Sequence, residues 1–140
     1  MKLLKTLSLS LLLAGAALNS SPVTAGNPSG IKLGTYPDKT IVIKHPMADD
    51  ANAFFSVATA YSFEIYKAGG ATEINKIIKS FLADNDVAAC AQGAVTGDFT
   101  MINLSLKNGK DKAWFIAQFK KAGLNTIKIN HSEVKSVDKL

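Results

Sequence analysis

From Phe55 onward the apolar and polar positions alternate. Phe55, Val57, Tyr61, Phe63 and Ile65 share one phase with Thr59, and Ser56, Ser62 and Glu64 fall between them. A period of two predicts a strand with one buried face, ended by Gly69-Gly70. The period then becomes helical. Ile74, Ile77, Ile78, Phe81 and Leu82 recur at i, i+3, i+4, i+7 and i+8, the apolar stripe of a helix of about three turns. Thr72 is placed to cap that helix, Glu73 falls in its first turn, Lys76 and Lys79 take the outer side, and Asp84-Asn85-Asp86 stops it.

The second half repeats the alternation of element types. Val87 to Val95 is small and apolar and predicts a strand; Thr96-Gly97-Asp98 is a turn; Phe99 to Leu106 is a strand with Ile102, Leu104 and Leu106 in phase. Two strands joined by a short glycine turn form a hairpin. Asp111 is a capping residue for a helix from Lys112 to Ala122, with Phe115, Phe119 and Ala122 on its buried stripe; Trp114 falls off that stripe, on the side of Gln118 and Lys121, and is expected to be partly exposed or to lie flat over the edge of the core. Gly123 falls at the position past a helix end that favours a left-handed backbone, and Lys120 and Lys121 complement the C-terminal dipole. Leu124 to Asn130 is the last predicted strand, and His131 to Leu140 a polar tail docked through Val134 and Val137.

Ahead of this unit, Gly26 to Gly34 is rich in Gly, Pro, Ser and Asn. Tyr36-Pro37-Asp38-Lys39 forms a turn, and Thr40 to Lys44 is a short β-branched strand ended by His45-Pro46. The order strand, helix, strand, strand, helix, strand predicts an α+β fold. It is the ferredoxin-like α/β sandwich, βαββαβ, with a four-stranded antiparallel sheet, two helices on one face and an extra N-terminal strand at an edge. The organisation expected is a signal peptide over 1–25, an N-terminal arm over 26–52, the ferredoxin-like domain over 53–132 and a tail over 133–140.

Lys2 and Lys5 precede an apolar run from Leu7 to Leu18, and Val23-Thr24-Ala25 supplies small residues before Gly26. This is the pattern of a cleaved export signal. The alternative is an uncleaved anchor, but the run is shorter than the roughly 20 residues a spanning helix needs. The expected location is exported, periplasmic or extracellular, with no membrane association after cleavage. Removing residues 1–25 leaves fourteen lysines against eleven acids, a net charge of +3. All 16 basic residues of the chain are lysines. Arginine's planar fork, the best bidentate reader of phosphates and bases, is therefore absent, and nucleic acid is excluded as an expected partner. One cysteine, Cys90, allows no intramolecular disulfide.

The order of elements resembles the heavy-metal-associated domains of small metallochaperones. Ile74 to Leu82 is similar to their first helix, Asp86-Val87 to the step into their second strand, and Phe115 to Gly123 to their second helix and its glycine end. The likeness covers about Phe55 to Asn130. It implies the scaffold but not the metal chemistry, because the family's Met-x-Cys-x-x-Cys loop corresponds to Tyr66-Lys67-Ala68-Gly69-Gly70-Ala71-Thr72. That loop contains no thiol, thioether or imidazole with which to grip a soft ion.

The remaining soft or borderline ligands are His45, Met47, Cys90, Met101 and His131. An imidazole and a thioether two residues apart, His45 and Met47, suit Cu(I) better than Zn(II), and with Cys90 they form the candidate metal set. The bland reading makes Cys90 a buried structural thiol in its strand. No nucleophile–base pair, phosphate loop or carboxylate pair assembles from the sequence, so no catalytic residues are expected. The expected function is a small exported non-enzymatic binding module, recognising an unknown protein partner through its sheet face or an edge, or a metal weakly. The alternative is a genuine periplasmic copper-type carrier using His45, Met47 and Cys90.

Overall fold

In a computed structural model of the full chain, the structure describes residues 35–44, 54–55 and 58–140. Residues 1–25, where the export signal is expected, the stretch 26–34, and His45 and Met47 lie outside the described residues. The elements run β1 (Thr40–Ile43), β2 (Ala60–Tyr66), α1 (Ala71–Leu82), β3 (Val87–Thr96), β4 (Phe99–Leu106), α2 (Lys112–Lys121), β5 (Thr126–Ile129) and β6 (Lys135–Ser136). A short 3₁₀ turn, Val137–Lys139, closes the chain.

The chain is α+β, but the four-stranded antiparallel sheet expected from the sequence is replaced by a mixed sheet of six strands in the order β3-β4-β2-β1-β5-β6. The N-terminal strand is not at an edge. β1 lies between β2, to which it is antiparallel, and β5, to which it is parallel, with Ile41 opposite both Ile65 and Ile127. The reason is in its composition. Thr40-Ile41-Val42-Ile43 is a continuous β-branched run, and all four residues are buried, as suits a strand flanked on both sides by others. Thr40 is fully buried without an orphaned hydroxyl, because it donates to the Pro37 carbonyl at 2.6 Å and pairs with the Thr126 hydroxyl at 2.8 Å. β5 still runs in the direction of β4, as a β4–α2–β5 crossover demands, but across two intervening strands rather than one.

Both helices contribute to a single core on one face of the sheet. Ile74, Ile77 and Phe81 of α1 and Phe115 and Phe119 of α2 meet Tyr61, Phe63 and Ile65 of β2 and Ile102, Leu104 and Leu106 of β4. Phe119 touches the rings of Phe55, Phe63, Phe81 and Phe115 at centroid distances of 5.5 to 6.2 Å, in the tilted and edge-on arrangements that the ring quadrupoles favour. Val137 in the terminal turn is fully buried and seals the β5–β6 end.

The helix ends follow local chemistry, with one correction. Asp111 caps α2 by accepting from the Trp114 backbone N–H at 2.9 Å, and Gly123 beyond its end has φ +75°. The cap of α1 is Gly70 rather than Thr72, which is already within the first turn. On the Trp114 side of α2, Gln118 is buried, because its amide donates to the Asp84 carboxylate at 2.5 Å and so ties α2 to the end of α1. Trp114 is half-buried and stands edge-on against Phe115 at 5.0 Å.

Candidate functional site

With both helices on one face, the other face of β1, β2, β4 and β5 carries no helix among the described residues; we call it the open face, although Thr40, Val42 and Tyr66 on it are buried. The pairing sets its residues in rows. Phe99, Tyr66 and Thr40 form one row; Met101, Glu64, Val42 and Lys128 form the next; Asn103 and Ser62 form the third. Tyr36, from the turn before β1, folds over the first row, its ring 5.3 Å from Tyr66 and 6.4 Å from Phe99. Tyr66 and Phe99 are themselves 5.3 Å apart.

Three lysines cover these rings. Lys44 lies 5.6 Å from the Phe99 centroid, Lys67 lies 5.3 Å from Tyr66, and Lys128 lies 5.8 Å from Tyr36. At such distances the ring faces attract an ammonium electrostatically. Each lysine is also anchored elsewhere. Lys44 pairs with Glu64 at 2.7 Å, and Lys128 donates to the Ser132 carbonyl at 2.7 Å. A side-chain hydrogen bond with Tyr66 holds the Lys67 ammonium above its ordinary pKa, with electrostatic help from Tyr66, Asp98 and Asp38. The Glu64 carboxylate is largely covered, and its Oε2 faces only the Lys44 ammonium. Ser62 donates to Asn103 at 2.8 Å.

Two hollows adjoin this face. Val42, Lys44, Ser62, Glu64 and Met101 surround a depression of about 160 Å³, well under the roughly 300–1,000 Å³ of a small-molecule pocket. A wider, shallow hollow of about 460 Å³ lies at the sheet end, between the β2–α1 loop and the β3–β4 turn, lined by Asp38, Lys67, Gly69, Gly97 and Asp98. The same β2–α1 loop is where the resemblance to metallochaperones would hold its thiolates. Here it presents the Lys67 ammonium, with Lys67 itself at φ +41° and Gly69 at φ +93°. A cationic side chain in that position does not fit a soft-metal cradle.

Of the predicted metal set, the structure places only Cys90. It sits on the core face of β3 opposite Leu104, 8% exposed, and burial pushes its thiol up to about 11. A metal ligand or nucleophile needs the thiolate, which this environment disfavours. His131 is exposed in the turn after β5, and Met101 is on the open face. Among the described residues no three His, Cys, Asp or Glu side chains group so as to hold a metal ion.

The aromatic–lysine cluster escaped the sequence reading because its members come from three separate segments. A signal was present: Tyr66 and Phe99 occupy the polar phase of their strands, where an aromatic ring has no place in the helix-covered core. Comparison with family models, curated proteins and solved structures finds no match for the chain.

Proposed function

We propose that the chain is a small exported, non-enzymatic binding module that holds a protein partner on the open face of its sheet. The observation that carries this reading is the Tyr36–Tyr66–Phe99 cluster with Met101 beside it and Lys44, Lys67 and Lys128 around it. Aromatic and methionine side chains within a polar rim are the composition of protein interface centres. The 160 Å³ depression on the face is too small to enclose a metabolite-sized ligand, and the 460 Å³ hollow at the sheet end is too shallow to enclose one, which favours a partner that lies across the face. The two crossovers, β2–α1–β3 and β4–α2–β5, support reading the fold as an expanded ferredoxin-like plan with β1 inserted between β2 and β5.

Photo-crosslinking in the cells that export the protein tests the reading. A benzophenone side chain at the exposed Asn103, on the open face, is compared with one at the exposed Ala117, on the outer side of α2. The expected result is a discrete adduct from Asn103 and none from Ala117. Adducts from Ala117 alone, or equally from both, overturn it. The copper-type carrier is the competing reading. Stoichiometric binding of Cu(I) or Zn(II) by the processed chain, lost in His45→Ala with Cys90→Ser, would replace the proposal with that one.

A further inference from the structure

The sheet has two outer edges, and they are built differently. β6 is two residues long, contains Lys135, and runs straight into the terminal 3₁₀ turn. A short, charged edge strand does not accept further pairing. β3 is ten residues long, Val-Ala-Ala-Cys-Ala-Gln-Gly-Ala-Val-Thr, without a charge or a proline. It pairs with β4 on one side, and among the described residues nothing pairs with its other side. A long, uncharged edge offers a row of backbone donors and acceptors to another strand.

The side chains over this edge are apolar as well. α1 packs against β3. Its inner flank is marked by Glu73, which pairs with Lys39, and by Asp84 just past its end, which receives Gln118 from α2. Ile74, Ile77 and Phe81 point into the core. Ile78 and Leu82, one turn apart, therefore lie on the opposite flank, above the free edge of β3. Leu82 is 48% exposed and Val95 is 59% exposed; they are the exposed large hydrophobic residues among those described. They stand at opposite ends of β3, Leu82 beside its start and Val95 near its finish.

We propose that the free edge of β3 joins a second copy of this chain in an antiparallel, two-fold pairing. This inference is independent of the open-face reading. Antiparallel self-pairing lays the first half of one strand along the second half of its mate. Val95 of each copy then comes to the Leu82 end of the other, and both exposed residues are covered by one contact. The absence of charge over Val87–Thr96 means that no like charges meet across the dyad, the usual obstacle to a strand pairing with itself. Register shifts at Val87/Ala89 and Gln92/Val95 bend the two ends of the strand and leave Ala89 to Gln92 as the regular centre of the ladder. So short a ladder makes a reversible, concentration-dependent dimer rather than an obligate one.

The test is the mass of the processed full chain by sedimentation across the micromolar range, with amide exchange on the same samples. The expected result is a monomer–dimer equilibrium, with β3 amides gaining protection as the dimer fills. Val95→Lys and Leu82→Lys change exposed side chains and leave the core intact; each is expected to weaken the dimer about tenfold or more, the effect of losing one buried aliphatic contact. A chain that is monomeric throughout the range overturns the proposal. So does a dimer that neither substitution weakens, or one whose protection maps away from β3. Protection of β3 that needs an added extended peptide assigns the edge to a foreign strand and also overturns it.

Discussion

The two faces of β2 differ in what their residues are for. Tyr61, Phe63 and Ile65 point to the helices and are 5% exposed or less. Ser62 and Glu64, one position away, point to the open face, where Ser62 is exposed and Glu64 half-buried. On the covered face every large side chain is accounted for by packing against another. On the open face Tyr66, Phe99 and Tyr36 pack on each other and beneath lysine side chains, with no helix over them among the described residues. Large side chains outside the helix-covered core are the basis of the proposed partner surface.

The strongest way to break this contrast is to truncate one ring from each face. Phe119→Ala removes a fully buried side chain that touches four other rings, and is expected to cost about 3–5 kcal/mol. Phe99→Ala removes a partly buried ring and is expected to cost about 1 kcal/mol. Urea unfolding of both variants measures the difference. Equal losses would make the open cluster a second core and remove the main support for a binding face.

β3 places Cys90 on the covered face and Gly93 on the open one, and Cys90 tests the covered face through pH. Burial holds its thiol at about 11 against an ordinary value of 9.0. Between those values the unfolded chain has given up a proton that the folded chain still holds, so stability is full below pH 9 and falls as pH rises toward 11. The loss is about 2 kcal/mol by the top of that window. Tyr61, whose phenol is also raised by burial, adds in the same direction. Cys90→Ala isolates the thiol: its stability curve should be flatter than that of the parent between pH 9 and 11. A parent curve no steeper than that of Cys90→Ala would place the thiol in solvent and reopen the metal reading. At neutral pH the native thiol should react with a disulfide reagent about 100-fold more slowly than in urea.

Much of the covered face was legible in the chain, and little of the open one. The strand at Phe99–Leu106 was readable residue for residue, because Ile102, Leu104 and Leu106 alternate cleanly and a glycine turn precedes them. The stripe of α1 was readable from its helical period for Ile74, Ile77 and Phe81, but Leu82, expected on the same stripe, is 48% exposed. The position of β1 was not read, although its four consecutive buried β-branched residues hold the information. A local pattern tells how many faces of a strand are covered, but the order of strands depends on contacts far apart in sequence, here Ile41 with Ile127. The open cluster failed for the same reason: Tyr36, Tyr66 and Phe99 meet only once the sheet is assembled. The partial exposure of Trp114 was legible from helical spacing, but the burial of Gln118 was not, because spacing alone does not reveal the neighbouring end of α1 that receives it.

Gly93 tests the open face from its β3 side. A methyl group there would come 2.8 Å from the Asn103 amide nitrogen and 3.3 Å from Met101. Asn103 is the acceptor for Ser62, so it does not swing away without breaking that bond. Gly93→Ala is expected to cost about 1–2 kcal/mol, and to disturb Ser62 and Asn103 in amide NMR spectra while leaving Phe119 and its neighbours unchanged. Shifts that spread through the covered face would show that the two faces are mechanically one.

The smallest expected effect on stability separates the faces most sharply. Lys44 is 70% exposed and pairs with Glu64 across the open face. Removing an ion pair with one exposed partner costs less than about 1 kcal/mol, because water screens the attraction and the long side chain regains its freedom. The same ammonium covers the Phe99 ring and sits at the rim of the depression beside Met101, so it lies where a partner would have to land. Lys44→Ala is therefore expected to leave the unfolding transition almost unchanged while reducing the yield of the Asn103 adduct severalfold. Phe119→Ala, assayed where it is still folded, should do the reverse. If Lys44→Ala lowers stability as much as it lowers crosslinking, the lysine belongs to the fold rather than to recognition. The partner surface would then have to be sought at the β3 edge instead.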